Sequence, residues 1–216
     1  MGYKYCLFYL SNSPSMEIVG YYNTQEEMQE KLHVYGDALW SKRKRDGYTQ
    51  YESRRVRRER NYFGSMMVEL EEADIMISGF SRNYPETIRP ALQIIGTEKG
   101  VKRVAGLYVI MAPNGPVFIA DTTININPNA EQLADIAIQS ADSATQFGID
   151  ARVAMISYST GSSGHGADVE KVAQATAIAK QKRPDLIIDG PLQYDAAIME
   201  NVAKSKAPNS PVAGKA

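Results

Sequence analysis

A chain of 216 residues is long enough for one large domain or two small ones. A formal net charge of −1, with 44% hydrophobic and 23% charged residues, gives no global field that would draw the chain to nucleic acid or to an anionic membrane. The single cysteine, Cys6, excludes an internal disulfide, no stretch approaches the ~20 apolar residues of a membrane span, and a reducing cytoplasm is the expected compartment. The apolar run at residues 5–10 is short and no small-residue cleavage site follows it, so it reads as uncleaved.

Thr24 and Glu27 form a capping box and predict a helix running to about Asp46, with Gly47 as the residue after its end. Thr49 and Glu52 form a second box, predicting a helix to about Glu72 that turns Met66, Met67 and Leu70 toward a core. Residues 75–78 read as a short buried strand ending at Gly79. The loop 80–85 then leads to a helix expected to begin near Arg89, with Pro90 in its first turn. Gly96 and Gly100 bracket a linker and a candidate domain boundary.

Residues 103–111 read as a strand, Asn114-Gly115 as a hairpin turn and residues 117–120 as the returning strand. Asn127-Pro128 predicts the start of a helix whose apolar face is Leu133, Ile136, Ala137, Ala141, Ala144 and Phe147, ended by Gly148. A strand at 152–158, a glycine- and serine-rich loop at 159–166, a helix at 168–182, a strand at 186–189 and a helix at 194–205 follow. That alternation predicts a parallel sheet covered by helices. Residues 207–216 carry no regular pattern.

Three features have the chemistry for a site. The loop Ser159-Thr-Gly-Ser-Ser-Gly-His-Gly166 lies between a strand and a helix, where free backbone N–H groups and hydroxyls suit a phosphate. It is neither a Walker loop nor a Rossmann fingerprint, and a flexible connection is the bland alternative. The basic region 42–60 carries Lys42, Arg43, Lys44, Arg45, Arg54, Arg55, Arg57, Arg58 and Arg60. Guanidinium forks suit the phosphates of coenzyme A or RNA, and a solvated helical face is the alternative. Arg89, just before Pro90, is expected to point into a cleft or to pair with Glu86. His33 and His165 have no metal-ligand partners, and a lone cysteine makes no zinc pattern. Asp121 and Asp189 each end a predicted strand, facing a cleft or capping a turn.

Several segments carry a family resemblance. Phe118-Ile-Ala-Asp-Thr-Thr-Ile-Asn and its continuation to Ala137, Arg152-Val-Ala-Met-Ile-Ser-Tyr-Ser-Thr-Gly161, residues 185–197 and residues 205–216 resemble the second domain of phosphate acetyl/butyryl transferases. Arg60-Asn-Tyr-Phe-Gly-Ser-Met-Met-Val68 and Tyr84-Pro-Glu-Thr-Ile-Arg-Pro90, continuing to Gly96, most resemble the phosphotransacetylase-like domain fused to bacterial malic enzymes. The resemblance covers roughly residues 17–216 and leaves 1–16 unassigned.

What the resemblance implies is an α/β fold of two α/β domains, with mostly parallel sheets sandwiched by helices and an interdomain cleft. The first domain is represented by residues 17–100 and the second by 101–216. It implies reversible acetyl transfer between acetyl phosphate and coenzyme A, with coenzyme A as substrate and no resident cofactor, in a cytoplasmic homodimer. The alternative it implies is a non-catalytic acetyl-CoA-sensing domain. Arg43 and Arg89 match the family arginines that contact phosphate or coenzyme A and the acyl phosphate, and they are the expected catalytic residues. Ser159, Thr160, Gly161 and Ser162 are the expected substrate-binding residues. The family pattern has a further half-domain before residue 17. It also continues past Ala216 to a Ser-Arg-Gly motif and an aspartate taken as the base for the coenzyme A thiol. This chain has no match to either, so loss of activity through truncation is an expectation.

Overall fold

The computed structural model describes residues 25–79, 82–113 and 115–216. The chain divides into two compact units, Met1–Gly100 and Val101–Ala216. Thr24 of the first expected capping box, the segment 1–16 and Asn114 of the expected hairpin turn lie outside the described residues.

Among the described residues the first unit is helical: α1 Gln25–Arg43, a 3-10 turn Lys44–Asp46, α2 Gln50–Val56, α3 Arg60–Glu69 and α4 Tyr84–Ile94. Gly47 takes φ 85 and closes the turn after α1. Thr49 and Glu52 form the full capping box that opens α2. The single helix expected from there to Glu72 is instead two. Arg57 ends α2, and the Glu59 carboxylate accepts the N–H groups of Asn61 and Tyr62 to start α3. The core is Leu32, Tyr35, Leu39, Phe63, Met66, Met67, Ala73 and Ile94, with the Tyr35 and Phe63 rings edge-on at 4.8 Å. Leu70, expected with Met66 and Met67, ends α3 and is exposed.

The expected strand at 75–78 is not a strand, and both Ile75 (73% exposed) and Ile77 (86%) face outward. An extended segment becomes a strand only when a neighbour takes its backbone hydrogen bonds, and no described residues do so here. The helix expected from Arg89 begins earlier, at Tyr84, capped by Asn83. Pro85 fills the first turn, and Pro90 lies buried in the helix interior.

The second unit carries the strands. β1 Tyr108–Ala112 and β2 Gly115–Ile119 form the expected antiparallel hairpin, though residues 103–107 lie outside it. α5 Ala130–Gln146 starts two residues later than expected at Pro128. The reason is the Asn129–Gln132 capping box, which satisfies the first N–H groups locally. Its buried stripe includes Ile136, Ala137, Ala141 and Ala144, while Phe147 ends the helix 70% exposed and tilts against Phe118 at 5.7 Å.

β3 Arg152–Ile156, α6 Ala167–Lys182 and β4 Ile187–Leu192 form a parallel crossover unit. Alanines at 130, 134, 137, 175 and 179 let α5 and α6 approach Met155 and Ile188 closely. The helix expected over 194–205 breaks at the extended Met199 into α7 Tyr194–Ile198 and α8 Glu200–Lys206. Residues 207–216 have no regular element, yet Val212 and Ala213 are buried against Leu192 and Ala203. The fold class is α/β, with its one parallel strand pair in the second unit among the described residues.

Candidate functional site

In the first unit, Arg43 ends α1 and its guanidinium lies over the Tyr48 ring, 5.8 Å from the centroid. One nitrogen meets the Asp46 carboxylate at 3.3 Å, a pair open to solvent and so weak, and the buried Nε has no partner among the described residues. The Tyr48 hydroxyl lies 3.3 Å from that of Tyr62 on α3, which donates to Gln93 Oε1 on α4 at 2.6 Å. Arg89 sits one turn before Gln93 on the same helix, and its charge acts on the Tyr62 phenol. Burial first, and then the hydrogen bond with Tyr48, push that phenol well above its ordinary range, while Arg89 opposes them. Tyr62 is therefore a neutral hydroxyl at any working pH.

Arg43 thus lies on the Tyr48 ring, and Arg89 follows on α4 one turn before the Gln93 that accepts from Tyr62. The structure also corrects the local reading of Arg89, which lies in mid-helix and exposed rather than at a helix start. Glu86, its expected ion-pair partner, pairs with Arg82 at 3.7 Å, and Arg89 has no ion pair among the described residues. Pro90 is tolerated in the helix because Asn61 Nδ2 donates to the Glu86 carbonyl at 3.2 Å. That is the acceptor Pro90 leaves without an N–H donor. Asn61, 3% exposed, also receives the Ser78 hydroxyl at 2.6 Å. Neither tyrosine, nor Asn61 or Gln93, is legible as a site residue from spacing, since each acts across different helices.

The rest of the basic region divides. Arg57 is 6% exposed, donates to the Leu32 carbonyl at 2.8 Å and lies 3.4 Å from His33 Nδ1. It fits only because position 36 is glycine, where a Cβ would come within 2.9 Å of Arg57 Cδ. Lys42 pairs with Glu69, and Lys44 lies 5.2 Å from the Trp40 ring centroid. Arg45, Arg54, Arg55 and Arg58 are exposed.

In the second unit, the loop 159–166 leaves the carboxyl end of β3 beside the end of β4. Ser159 and Thr160 are 4% and 7% exposed. The Ser159 hydroxyl meets that of Ser163 at 3.0 Å. Thr160 Oγ1 accepts the Gln193 N–H at 3.0 Å and lies 3.3 Å from Gln193 Oε1. Gly161 N–H donates to the Pro191 carbonyl at 2.9 Å. These groups hold the loop on β4, whereas Ser162 is exposed. Gly166 opens α6 without a side-chain cap, and a Cβ there would meet the Tyr158 hydroxyl at 2.7 Å. His165 is exposed and uses its carbonyl to accept from Tyr158.

Asp121 caps a turn. Its carboxylate accepts the N–H groups of Gly106, Thr123, Ile124 and Asn125 and the Asn125 side-chain amide. Burial, the largest influence, raises its pKa, but those hydrogen bonds together outweigh it and hold the carboxyl at about 2. Asp189 pairs with Lys180 at 2.9 Å. No cluster of metal-ligating side chains occurs among the described residues, and no described helix is long and apolar enough to cross a membrane.

The fold defines an α/β protein, and the expected arginines lie on the helices of its first unit. The chain matches the phosphate acetyl/butaryl transferase family model over residues 10–216, and it belongs to that family. It is 56% identical over 182 residues to the phosphate acetyltransferase of Haemophilus influenzae and 53% identical over 182 residues to that of Escherichia coli. Each match covers 84% of this chain but 26% of the relative, so the chain spans about a quarter of their length. Among solved structures, a phosphotransacetylase from Streptococcus pyogenes superposes with a TM-score of 0.77 at 42% identity, covering 86% of this chain and 56% of that one. The EutD phosphotransacetylase from Staphylococcus aureus gives 0.72 at 37% identity, covering 89% and 58%.

Proposed function

We propose that this chain supplies the phosphate-holding part of a reversible acetyl transfer between acetyl phosphate and coenzyme A. The observation that carries the reading is Arg43 over the Tyr48 ring, with its Nε unpartnered among the described residues, beside an exposed Arg89 on α4 that has no ion pair among them. The naming of its relatives as phosphate acetyltransferases supports it. In the reaction the thiol sulfur bonds to the acetyl carbonyl carbon and the carbon–oxygen bond to phosphate breaks. The thiol proton ends on the released phosphate. Two guanidinium groups hold the phosphate and offset the charge that builds on its oxygens. Coenzyme A is then a substrate, with no resident cofactor. Ser162 and the uncapped start of α6 are the parts of the 159–166 loop open to a ligand, while Ser159, Thr160 and Gly161 shape it.

A cytoplasmic homodimer is part of the same proposal. Tyr108, Val109, Ile110 and Met111 of the hairpin are all exposed, an apolar stretch suited to burial against a second copy. The competing reading is a non-catalytic acetyl-CoA sensor, in which the same arginines hold the phosphates of coenzyme A without turnover.

The test is formation of acetyl-CoA from acetyl phosphate and coenzyme A by the purified chain. Turnover that disappears in Arg89→Ala supports the transferase. A folded chain that binds coenzyme A without turnover supports the sensor.

A further inference from the structure

We infer that Tyr48 and Tyr62 are positioning residues that tie Arg43 and Arg89 into one anion-binding face, an inference that rests on the phosphate-holding reading above. The four residues come from three helices and a turn. The Tyr48 N–H meets the Arg43 carbonyl at 3.3 Å and a common core packs the helices, while a hydroxyl chain links the side chains beside the two arginines. Tyr62 spends its proton on Gln93 Oε1 at 2.6 Å, so at 3.3 Å it can only accept the proton of Tyr48. The chain therefore has one direction, from Tyr48 to Tyr62 to Gln93. Its first ring lies under the Arg43 guanidinium, and its last residue stands one turn beyond Arg89 on α4.

Among the described residues neither cation has a strong ion pair: Arg43 meets the 55%-exposed Asp46 side chain, and Arg89 has none. Tyr48 and Tyr62 are half-buried, as is Gln93, while Arg89 is exposed, so the face is open to a small oxyanion. A shift of α4 that breaks the Tyr62–Gln93 bond moves Arg89, and the same bond sets where the Tyr48 ring holds Arg43. An oxyanion held by one arginine is then met by the other in the correct place.

A purely structural role predicts that Tyr62→Phe, which keeps the ring and removes the hydroxyl, changes only the melting temperature. The positioning role predicts a change in ligand affinity and in coupling. The probe is inorganic phosphate, titrated calorimetrically into the whole chain. Arg43→Ala and Arg89→Ala are each expected to weaken binding about tenfold, and their combination by less than the product of the two, because coupled contacts are non-additive. In the Tyr62→Phe background, phosphate affinity is expected to fall about fivefold and the two arginine effects to become additive. Tyr48→Phe, which keeps the ring, is expected to weaken binding less than Tyr48→Leu. Gln93→Leu removes the same hydrogen bond from the other end and stands in if Tyr62→Phe does not fold. Phosphate affinity within about twofold of the parent in both Tyr62→Phe and Gln93→Leu, with the arginine coupling intact, overturns the inference and leaves the phosphate-holding reading in place. Arginine substitutions that leave phosphate binding unchanged overturn that reading, and the positioning role falls with it.

Discussion

Asn61 on α3 donates its side-chain amide to the Glu86 carbonyl on α4, at 3.2 Å, in place of the N–H that Pro90 lacks. A proline in a helix interior costs about 3 kcal/mol, part of it from this stranded acceptor, so Asn61 repairs the helix that presents Arg89. Asn61→Ala is expected to lower stability by about 2 kcal/mol, because it leaves the Glu86 carbonyl without its donor and the Ser78 hydroxyl without its acceptor. In a Pro90→Ala background the same change is expected to cost measurably less, since a backbone N–H again serves Glu86. Urea denaturation of the four variants gives the coupling, and strictly additive effects would refute the repair.

Thr160 and Ser162 stand two residues apart in the same loop with opposite environments, Thr160 7% exposed and Ser162 on the solvent side. Thr160→Val keeps the shape and removes the acceptor of the Gln193 N–H, so a loss of about 1–2 kcal/mol is expected. Ser162→Ala is expected to leave stability within about 0.5 kcal/mol of the parent. Thermal melts of the two variants check this, and equal melting temperatures would show that the Thr160 contact does not hold the loop.

Gly190 in β4 has φ 156, and a Cβ there would come within 2.6 Å of both the Met155 carbonyl oxygen and its Cβ. Backbone cannot yield as a side-chain tip can, so Gly190→Ala is expected to cost more than about 2 kcal/mol through the β3–β4 pairing. Gly161→Ala, at φ 56 with open space around it, is expected to cost about 1 kcal/mol from the left-handed backbone alone. Comparing the two by chemical denaturation separates crowding from backbone strain.

The Asp121 carboxyl is held at about 2, below its ordinary 3.8. A depressed pKa means that the folded state gains stability from the ionised form. That stability is fully present above about pH 4 and is lost as the pH falls through 2. The group is partly open to solvent, so the contribution is about 1 kcal/mol after screening. Asp121→Asn is expected to remove it at neutral pH and to flatten the acid limb between about pH 4 and 2. An acid limb unchanged by the substitution would place the titration elsewhere.

The legible parts of this protein are those settled within a few residues. The Thr49–Glu52 box, the αL glycines at 47 and 148 and the β–α alternation around 152–192 all appear in the structure, because caps, turns and crossover units close their hydrogen bonds locally. The resemblance in residues 118–137 and 152–161 likewise needed only the order of residues, and the family match extends over 10–216. Where the outcome depends on a distant partner, local pattern is silent. Residues 75–78 have the composition of a strand but no described neighbour to pair with. Pro90 looks like a helix start until Asn61 supplies the missing donor. Arg57 looks like a surface cation until Gly36 makes room to bury it. Burial and hydrogen-bond partnership are properties of pairs brought together by folding, so only the tertiary structure decided which arginines stay open to solvent and which serve the core.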